Sequence, residues 1–264
     1  MRASVGLRIT SGVVAFFLLA VSAVAADQNI RNILAPSGKL KAALYVGTPT
    51  SILDADKAQP RGVGYELGKT LAAKLGVPYE PIVFPRNADV LEAVKTGNAD
   101  VAFTNASPAR KKEMDFGPTY LVIELGYLVD ANSPIKSLAD VDQKGRRIGV
   151  TVHSSSESTL SHELKNADVV RAPTNSEGAT MLATGKIDAF ATNKATLFEL
   201  VEKAPGLHVL AERWGEERHA IAIPKGREQG ITFIADFTKE ALTSGLVKAA
   251  MDRAGLKGAS PTEP

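Results

Sequence analysis

The chain has 264 residues and a normal apolar fraction of 44%, which is enough for two compact units with their own cores and does not indicate disorder. Its 31 basic and 29 acidic residues form no Lys/Arg stripe interleaved with aromatics, so we expect no nucleic-acid partner. The absence of cysteine excludes disulfides, thiolate metal sites and a lipoprotein anchor, and the four histidines lack ligand spacing, so we expect no metal and no cofactor.

Residues 1–26 have the pattern of a secretory signal peptide. Arg2 and Arg8 precede an apolar run over 12–24, and small residues follow it as they do at a cleavage site. The run is too short to span a bilayer comfortably. Cleavage removes two basic residues and no acidic one, which leaves 29 of each. A freely soluble exported protein is kept near its cell only by a second membrane, so we expect the periplasm and no stable membrane anchor.

Strands and helices alternate before Tyr120. The spacing of apolar residues predicts a helix that stops at Gly76, a strand over 81–84, a second helix that ends near Gly97 and a short strand over 99–103. Open α/β sheets bind ligands at the carboxyl ends of their strands. An ordinary polar loop with an exposed arginine is the plainer alternative. The candidate ligand-binding residues after the last strand are Thr104, Asn105, Ser107 and Arg110.

A change of lobe is predicted next. The extended apolar run over 121–129 is long enough for one strand to cross between two lobes. A strand over 147–152 then leads through a serine-rich stretch to a helix over 158–164. Ser154 and Ser155 lie where hydroxyls and free backbone N–H groups at a helix N-terminus favour an anion. A well-capped surface helix is the alternative interpretation.

The rest of the chain continues the alternation. A helix over 176–183 precedes a buried strand over 187–191, and Asn193 lies beyond the carboxyl end of that strand. A second crossing is predicted near 213–218, before a strand over 220–223. The other predicted elements are a helix over 196–201, an edge strand over 207–210 and two C-terminal helices, over 231–243 and 246–254.

Several phrases of the sequence resemble a known family. In the first half they are Gly64–Leu67, Thr96–Asp100 and, most specifically, Ala109–Tyr120. In the second half they are Asp140–Val150, Thr184–Ala189 and His219–Lys225. From Gly38 to about Leu256 the chain resembles the periplasmic solute-binding proteins of ABC importers, of the amino-acid-binding type (extracellular solute-binding protein family 3).

The resemblance implies an α/β fold of two lobes, the type II periplasmic-binding-protein fold, with two crossings that form a hinge. It places lobe 1 over 27–122 and 220–264 and lobe 2, with the crossing strands, over 123–219. The implied function is to bind a small polar solute, an amino acid or a related organic acid that bears a carboxylate, in the interlobe cleft. The implied partner is the membrane permease of an ABC importer, and we expect a monomeric transport protein that is not an enzyme.

The resemblance also implies residue roles. An arginine at the position of Arg110 pairs with the solute carboxylate, for which a bidentate guanidinium is suited. Thr104 and Asn105 add hydrogen bonds, and Ser154 and Ser155 close on the same carboxylate from the second lobe. The other residues predicted to bind the ligand are Ser107, Asn193 and Asn87.

Three departures from the family pattern bear on the ligand. The loop between Asp100 and Arg110 is shorter than usual, which would move Arg110 relative to the pocket. Asn193 replaces an aspartate that offsets the substrate ammonium in many amino-acid binders, and Asn supplies no charge. Gly47 and Asn87 stand where aromatic residues usually sandwich the ligand side chain. These departures predict a ligand with more anionic than cationic character.

Other functional classes stay open. An enzyme resembling cyclohexadienyl dehydratase would need a general acid in the cleft, and Glu157 or Glu177 is a candidate, although neither follows a strand with an obvious base partner. His153 beside three serines suggests a hydrolase, but the sequence has no G-x-S-x-G elbow. A ligand-presenting subunit for a sensor or an oxidation system is a further alternative.

Overall fold

The structure, a computed structural model, describes residues 28–263. The predicted signal peptide lies outside the described residues. Among the residues that are described, no helix has both the length and the apolar character needed to cross a membrane.

Nine helices and ten strands alternate along residues 28–263. The helices are α1 (28–34), α2 (Val63–Leu75), α3 (Asn87–Lys95), α4 (Pro108–Lys111), α5 (Ser155–Glu163), α6 (Asn175–Ala183), α7 (Lys194–Lys203), α8 (Ile231–Thr243) and α9 (Leu246–Arg253). The strands are β1 (Leu40–Tyr45), β2 (Tyr79–Phe84), β3 (Val101–Asn105), β4 (Met114–Asp130), β5 (Arg147–Thr151), β6 (Asp168–Ala172), β7 (Ala189–Asn193), β8 (Leu207–Val209), β9 (Gly215–Pro224) and β10 (Ala259–Pro261).

All ten strands join one sheet in the order β2-β1-β3-β9-β4-β7-β5-β6, and β8 and β10 also pair with β4. The strands β1, β2 and β3 are parallel at one end, and β5, β6 and β7 are parallel at the other. The long strands β4 and β9 are antiparallel and pair from Met114–Pro224 to Leu125–Gly215. These two strands connect the two ends of the sheet, so the α/β class and both predicted crossings are confirmed.

The apolar core lies in separate clusters on either side of the crossing strands. One set, which includes Leu71 and Phe237, is drawn from residues 34–123 and 221–251 together with Ala195. The other, which includes Ile148 and Phe190, is drawn from residues 127–210. This division supports two lobes. We propose that lobe 1 comprises residues 27–122 and 220–264 and that lobe 2 comprises residues 123–219.

Local signals set most helix ends. Gly76 ends α2 in the left-handed conformation (φ 67°), which glycine adopts without steric cost. The helix predicted over 158–164 begins earlier, at Ser155, because the Ser154 hydroxyl caps it by accepting a 3.0 Å hydrogen bond from Glu157 N. The polar loop before Arg110 contains the one-turn helix α4, which Ser107 caps and Pro108 begins.

The C-terminal strand β10 is absent from the sequence-based prediction. Its three residues pair antiparallel with Leu121–Ile123 of β4. Thr262 continues this contact, since its N–H and hydroxyl donate to the carbonyls of Tyr120 and Thr119. A three-residue strand that ends in proline has too little periodicity to be recognised from sequence.

Candidate functional site

A cavity lies between the two lobes, above the crossing strands. Residues of both lobes and of β9 line it, as the carboxyl ends of β3, β5 and β7 all point toward it. The structure brings six of the eight predicted ligand-binding residues together around this cavity: Asn87, Thr104, Arg110, Ser154, Ser155 and Asn193.

Arg110 reaches the cavity from α4 in spite of the short loop. Its Nη1 donates to Thr104 Oγ1 at 2.7 Å and to the carbonyl of Asn105 at 3.4 Å. Within residues 28–263, its Nε and Nη2 have no hydrogen-bond partner. Burial lowers the pKa of Arg110 and the charge of Glu217 opposes that shift, but a guanidinium stays protonated in either case. A fixed cation with unused donors therefore borders the cavity.

Asn105 and Ser107 have structural contacts instead of facing the cavity. The Asn105 Oδ1 accepts a 3.1 Å hydrogen bond from Arg218 N, and this bond ties β3 to β9. The Ser107 hydroxyl accepts a 3.4 Å bond from Arg110 N and so orients α4. Both residues line the wider groove of about 810 Å³ that adjoins the cavity. They position Arg110 without lining the cavity themselves.

The second lobe contributes the start of α5. Ser154 and Ser155 line the cavity, and the Ser155 hydroxyl donates to the carboxylate of Glu217. His153, just before them, has a positive φ of 57°, and its N–H donates to Glu157 Oε2 at 2.6 Å. The tight turn directs the helix N-terminus at the cavity, where the helix dipole favours negative charge.

Glu217 and His219, which the sequence analysis missed, form the centre of the site. They lie two positions apart on β9, so both side chains are on one face of the strand. Glu217 is 7% exposed and His219 is 6% exposed. The Glu217 Oε2 accepts from His219 Nε2 at 3.2 Å and from Asn193 Nδ2 at 3.4 Å. The only feature of the sequence that could have indicated this pair is the alternation Glu-x-His before the apolar residues of β9.

Glu217 is ionised at neutral pH. Its burial alone would raise the pKa, but the hydrogen bond and charge of His219, the Ser155 hydroxyl and the charge of Arg110 lower the pKa of Glu217 to about 2. The cavity therefore contains a carboxylate as well as a guanidinium. The expectation of a ligand with more anionic than cationic character rested in part on the uncharged Asn193, and Glu217 adds to the cavity a negative charge that this expectation had not included.

Asn193 has two tasks at the end of β7. Its Oδ1 accepts a 3.0 Å hydrogen bond from Thr196 N and caps α7, while its Nδ2 points to Glu217.

Two aromatic residues, Tyr45 and Phe103, also line the cavity. The sequence-based expectation of a pocket without aromatic residues considered only the positions of Gly47 and Asn87.

Two hydrogen bonds connect the lobes across the cavity. The Thr48 and Thr196 hydroxyls are 3.2 Å apart and buried. On the outer side, Asn87 Nδ2 donates to the carbonyl of His153 at 3.4 Å. The lobes thus meet over the cavity in a closed arrangement.

The other chemistry considered from sequence lies elsewhere. Glu157 pairs with Arg171, and Glu177 pairs with Thr174 at the start of α6; neither carboxylate lines the cavity. Over residues 28–263, no group of three or more His, Asp or Glu side chains is arranged to hold a metal ion.

Comparison with known proteins supports the family and the fold. The model of the bacterial extracellular solute-binding proteins, family 3, matches residues 43–254. The L-cystine-binding protein TcyJ of Escherichia coli is 27% identical over 258 residues, 95% of this chain and 96% of TcyJ. Relatives of this family bind amino acids for ABC transporters.

Solved structures confirm the type II periplasmic-binding-protein fold. A solute receptor for L-cysteine of Neisseria gonorrhoeae has a TM-score of 0.76 at 22% identity, over 85% of this chain and 92% of that one. The ancestral amino-acid-binding protein AncCDT-1, a precursor of cyclohexadienyl dehydratase, has a TM-score of 0.73 at 22% identity, over 85% and 98%. Family members are extracellular or periplasmic and act with ABC-transporter permeases. The chain belongs to the bacterial extracellular solute-binding proteins, family 3.

Proposed function

We propose that the protein binds a small carboxylate-bearing solute, an amino acid or a related organic acid, between its lobes and delivers it to an ABC importer. The observation that carries this proposal is the environment of Arg110. Its Nε and Nη2 lie on one edge of the guanidinium, and neither has a partner within residues 28–263. Two parallel donors on one edge match the two oxygens of a carboxylate. The L-cystine bound by TcyJ supports the amino-acid part of the proposal.

Binding would be coupled to closure about β4 and β9. A solute that contacts Arg110 on one lobe and Ser155 on the other makes both contacts only in the closed state, so its binding stabilises that state. The bonds Thr48–Thr196 and Asn87–His153 would break on opening, so they favour the same state. The permease then has a ligand-dependent shape to recognise, which is how hinge closure reports occupancy.

The cellular setting follows from the same proposal. We propose export by the signal peptide over 1–26, a soluble periplasmic location without a membrane anchor, and action as a monomer. The partner is the membrane permease of the importer. A ligand-presenting subunit of a sensor would use the same cavity with a different partner, and gene neighbours distinguish the two.

The direct test is to identify the solute that copurifies with the protein. Mass spectrometry of molecules released on denaturation should detect a small carboxylic acid with wild-type protein. This acid should not copurify with the Arg110→Gln variant, in which the side chain keeps some hydrogen bonding but has no charge. Arg253→Gln is a matched control, because Arg253 pairs with Glu66 on the surface of lobe 1. Release of a solute without a carboxylate, or equal retention by Arg110→Gln, would contradict the proposal.

An enzyme on this fold is the second candidate, and the buried pair Glu217–His219 is the observation that favours it. A general acid must hold a proton at working pH. The pKa of Glu217 is lowered to about 2, so this carboxylate has no proton to donate near neutrality. We therefore propose binding without turnover; conversion of prephenate or arogenate by the purified protein would reverse this conclusion.

A further inference from the structure

Lys194 is a buried lysine that the proposed binding of the solute does not use. Of the lysines among residues 28–263 it alone is buried, with 6% exposure, and it does not line the cavity. It is the first residue of α7 and directly follows Asn193, which does line the cavity. A cation is unfavourable at a helix N-terminus, where the helix dipole favours negative charge. The stability of α7 therefore does not explain a lysine at this position.

The ammonium group of Lys194 joins the two segments that cross between the lobes. Its Nζ donates to Glu124 Oε2 of β4 at 2.8 Å and to the carbonyl of Ala211 at 2.8 Å, in the segment that leads into β9. The ladder between β4 and β9 ends at the pair Leu125–Gly215, so Ala211 lies beyond their regular pairing. Lys194 thus connects the two crossing segments past the end of the ladder.

The ion pair with Glu124 also offsets a repulsion on the crossing strands. Glu124 lies directly opposite Glu216 in the ladder, and like charges in opposite positions destabilise a sheet. Lys194 pairs with Glu124, while Arg213 and Arg218 pair with Glu216. The alignment of β4 and β9 at this point therefore depends in part on the charge of Lys194.

The hydrocarbon chain of Lys194 lies against two glycines. A Cβ atom added to Gly126 of β4 would be 2.9 Å from Lys194 Cγ, and one added to Gly258 would be 2.6 Å from Lys194 Cβ. Such distances are too short for packed carbon atoms, so glycine permits this close approach. Gly258 precedes β10, and its carbonyl accepts a 2.9 Å hydrogen bond from Glu124 N. Lys194 is therefore in contact with both β4 and the C-terminal segment.

We propose that Lys194 is a positioning residue for closure, which fixes the two crossing segments in the closed arrangement and thereby raises the affinity for the solute. This inference rests on the proposed function, in which binding is coupled to closure. Lys194 belongs to α7 of lobe 2, whereas Gly258 follows α9 of lobe 1. A rotation of the lobes about β4 and β9 changes the distance between these two residues. The contacts of Lys194 consequently favour the arrangement in which they form.

The alternative is that Lys194 stabilises the fold without influencing closure. Removal of its ammonium group would then lower the melting temperature but leave the affinity of the folded protein unchanged. The two interpretations differ in the dissociation rate of a bound solute and in the dimensions of the protein without solute.

The test compares the wild type with Lys194→Met, which keeps an unbranched apolar chain and removes the ammonium group. The side chain of Glu124 is 40% exposed, so water can hydrate its carboxylate in this variant. The probe is the compound, among L-cystine and the proteinogenic L-amino acids, that the wild type binds most tightly in calorimetric titration. Its affinity should fall by at least about fivefold in Lys194→Met, through faster dissociation with little change in association.

A second variant assigns the effect to the ion pair. Glu124→Gln keeps Lys194 and its bond to Ala211, so we expect a smaller loss of affinity in the same direction. The double variant should bind no more weakly than Lys194→Met, because the two side chains act through one contact. Lys248→Met is the matched control, since Lys248 pairs with Asp252 on the surface of α9. It should bind as the wild type does.

Small-angle scattering tests the same inference without a solute. Lys194→Met should have a larger radius of gyration than the wild type, whereas Lys248→Met should not. A variant Lys194→Met that keeps the affinity, dissociation rate and radius of gyration of the wild type would overturn the inference, even if its melting temperature were lower. Wild-type protein that binds none of the probes would contradict amino-acid binding, while the scattering comparison would still decide the role of Lys194.

Discussion

His219 Nε2 lies 3.2 Å from Glu217 Oε2 on the strand that joins the two lobes, and both side chains are buried. This pair places an ionised carboxylate in the lining of the cavity, on one of the two strands that connect the two ends of the sheet.

The free energy of unfolding should depend on pH through the ionisation of the Glu217 carboxylate. Its pKa is about 2 in the folded protein and 4.5 in the reference state, so its stabilising contribution is present above pH 4.5 and is lost as the pH falls toward 2. The shift corresponds to about 3 kcal/mol. Urea unfolding of wild type and Glu217→Gln should give free energies of unfolding that converge between these pH values. A constant difference across this range would show that the carboxylate is not selectively stabilised by folding.

Thr104 should act as a positioning residue for Arg110. Thr104→Val removes the 2.7 Å acceptor of Nη1 but keeps the size of the side chain. One lost hydrogen bond of this kind costs about 1.5–3 kcal/mol because the donor is charged. We expect affinity for the copurified solute to fall by at least tenfold in calorimetry, with an unchanged preference among ligands. Thr70→Val is the control, since the Thr70 hydroxyl bonds only within α2; equal effects of the two variants would show that Thr104 has no special role.

The contact between Thr48 and Thr196 should stabilise the closed state. Thr196→Val removes a buried hydrogen bond across the cavity, and we expect a cost of about 1 kcal/mol to closure. The dissociation rate of the ligand should rise several-fold, while the association rate changes little. Small-angle scattering should also show a larger radius of gyration in the absence of ligand. Unchanged dissociation and unchanged dimensions together would show that this contact does not influence closure.

The strand β10 should stiffen the hinge. A chain that ends at Gly258 loses the pairing with Leu121–Ile123 and the Thr262 contacts, while the Lys257–Glu202 pair remains. We expect a lower melting temperature and altered affinity without a change in ligand preference, because β10 contacts β4 and does not line the cavity. Calorimetry with the copurified solute measures both quantities. Melting and affinity equal to those of the full chain would contradict a role in the hinge.

The sequence determined the elements whose signals are local. The apolar spacing and Gly76 fix α2, and the polar residues at and beyond the end of β3 include Thr104 and Arg110, which line the cavity. Ser154 was correctly expected at the start of a helix, because its hydroxyl and the N–H of Glu157 are only three residues apart. Caps, turns and periodicity depend on short separations, so they can be read without knowing the fold.

Tertiary structure alone decided the electrostatics of the site. Glu217 meets Ser155 and Asn193, which lie 62 and 24 residues away, because β9 returns between the two lobes. Asn193 without Glu217 indicated an anionic ligand, whereas the folded site contains both charges. The low pKa of Glu217 likewise requires Ser155 and Arg110, together with His219, to outweigh the burial that would raise it, and Ser155 and Arg110 are distant from Glu217 in the sequence. Electrostatic interactions act between residues that are close in space but distant along the chain. The sequence therefore indicated the family and Arg110, whereas the fold was needed to place the Glu217 carboxylate in the same cavity.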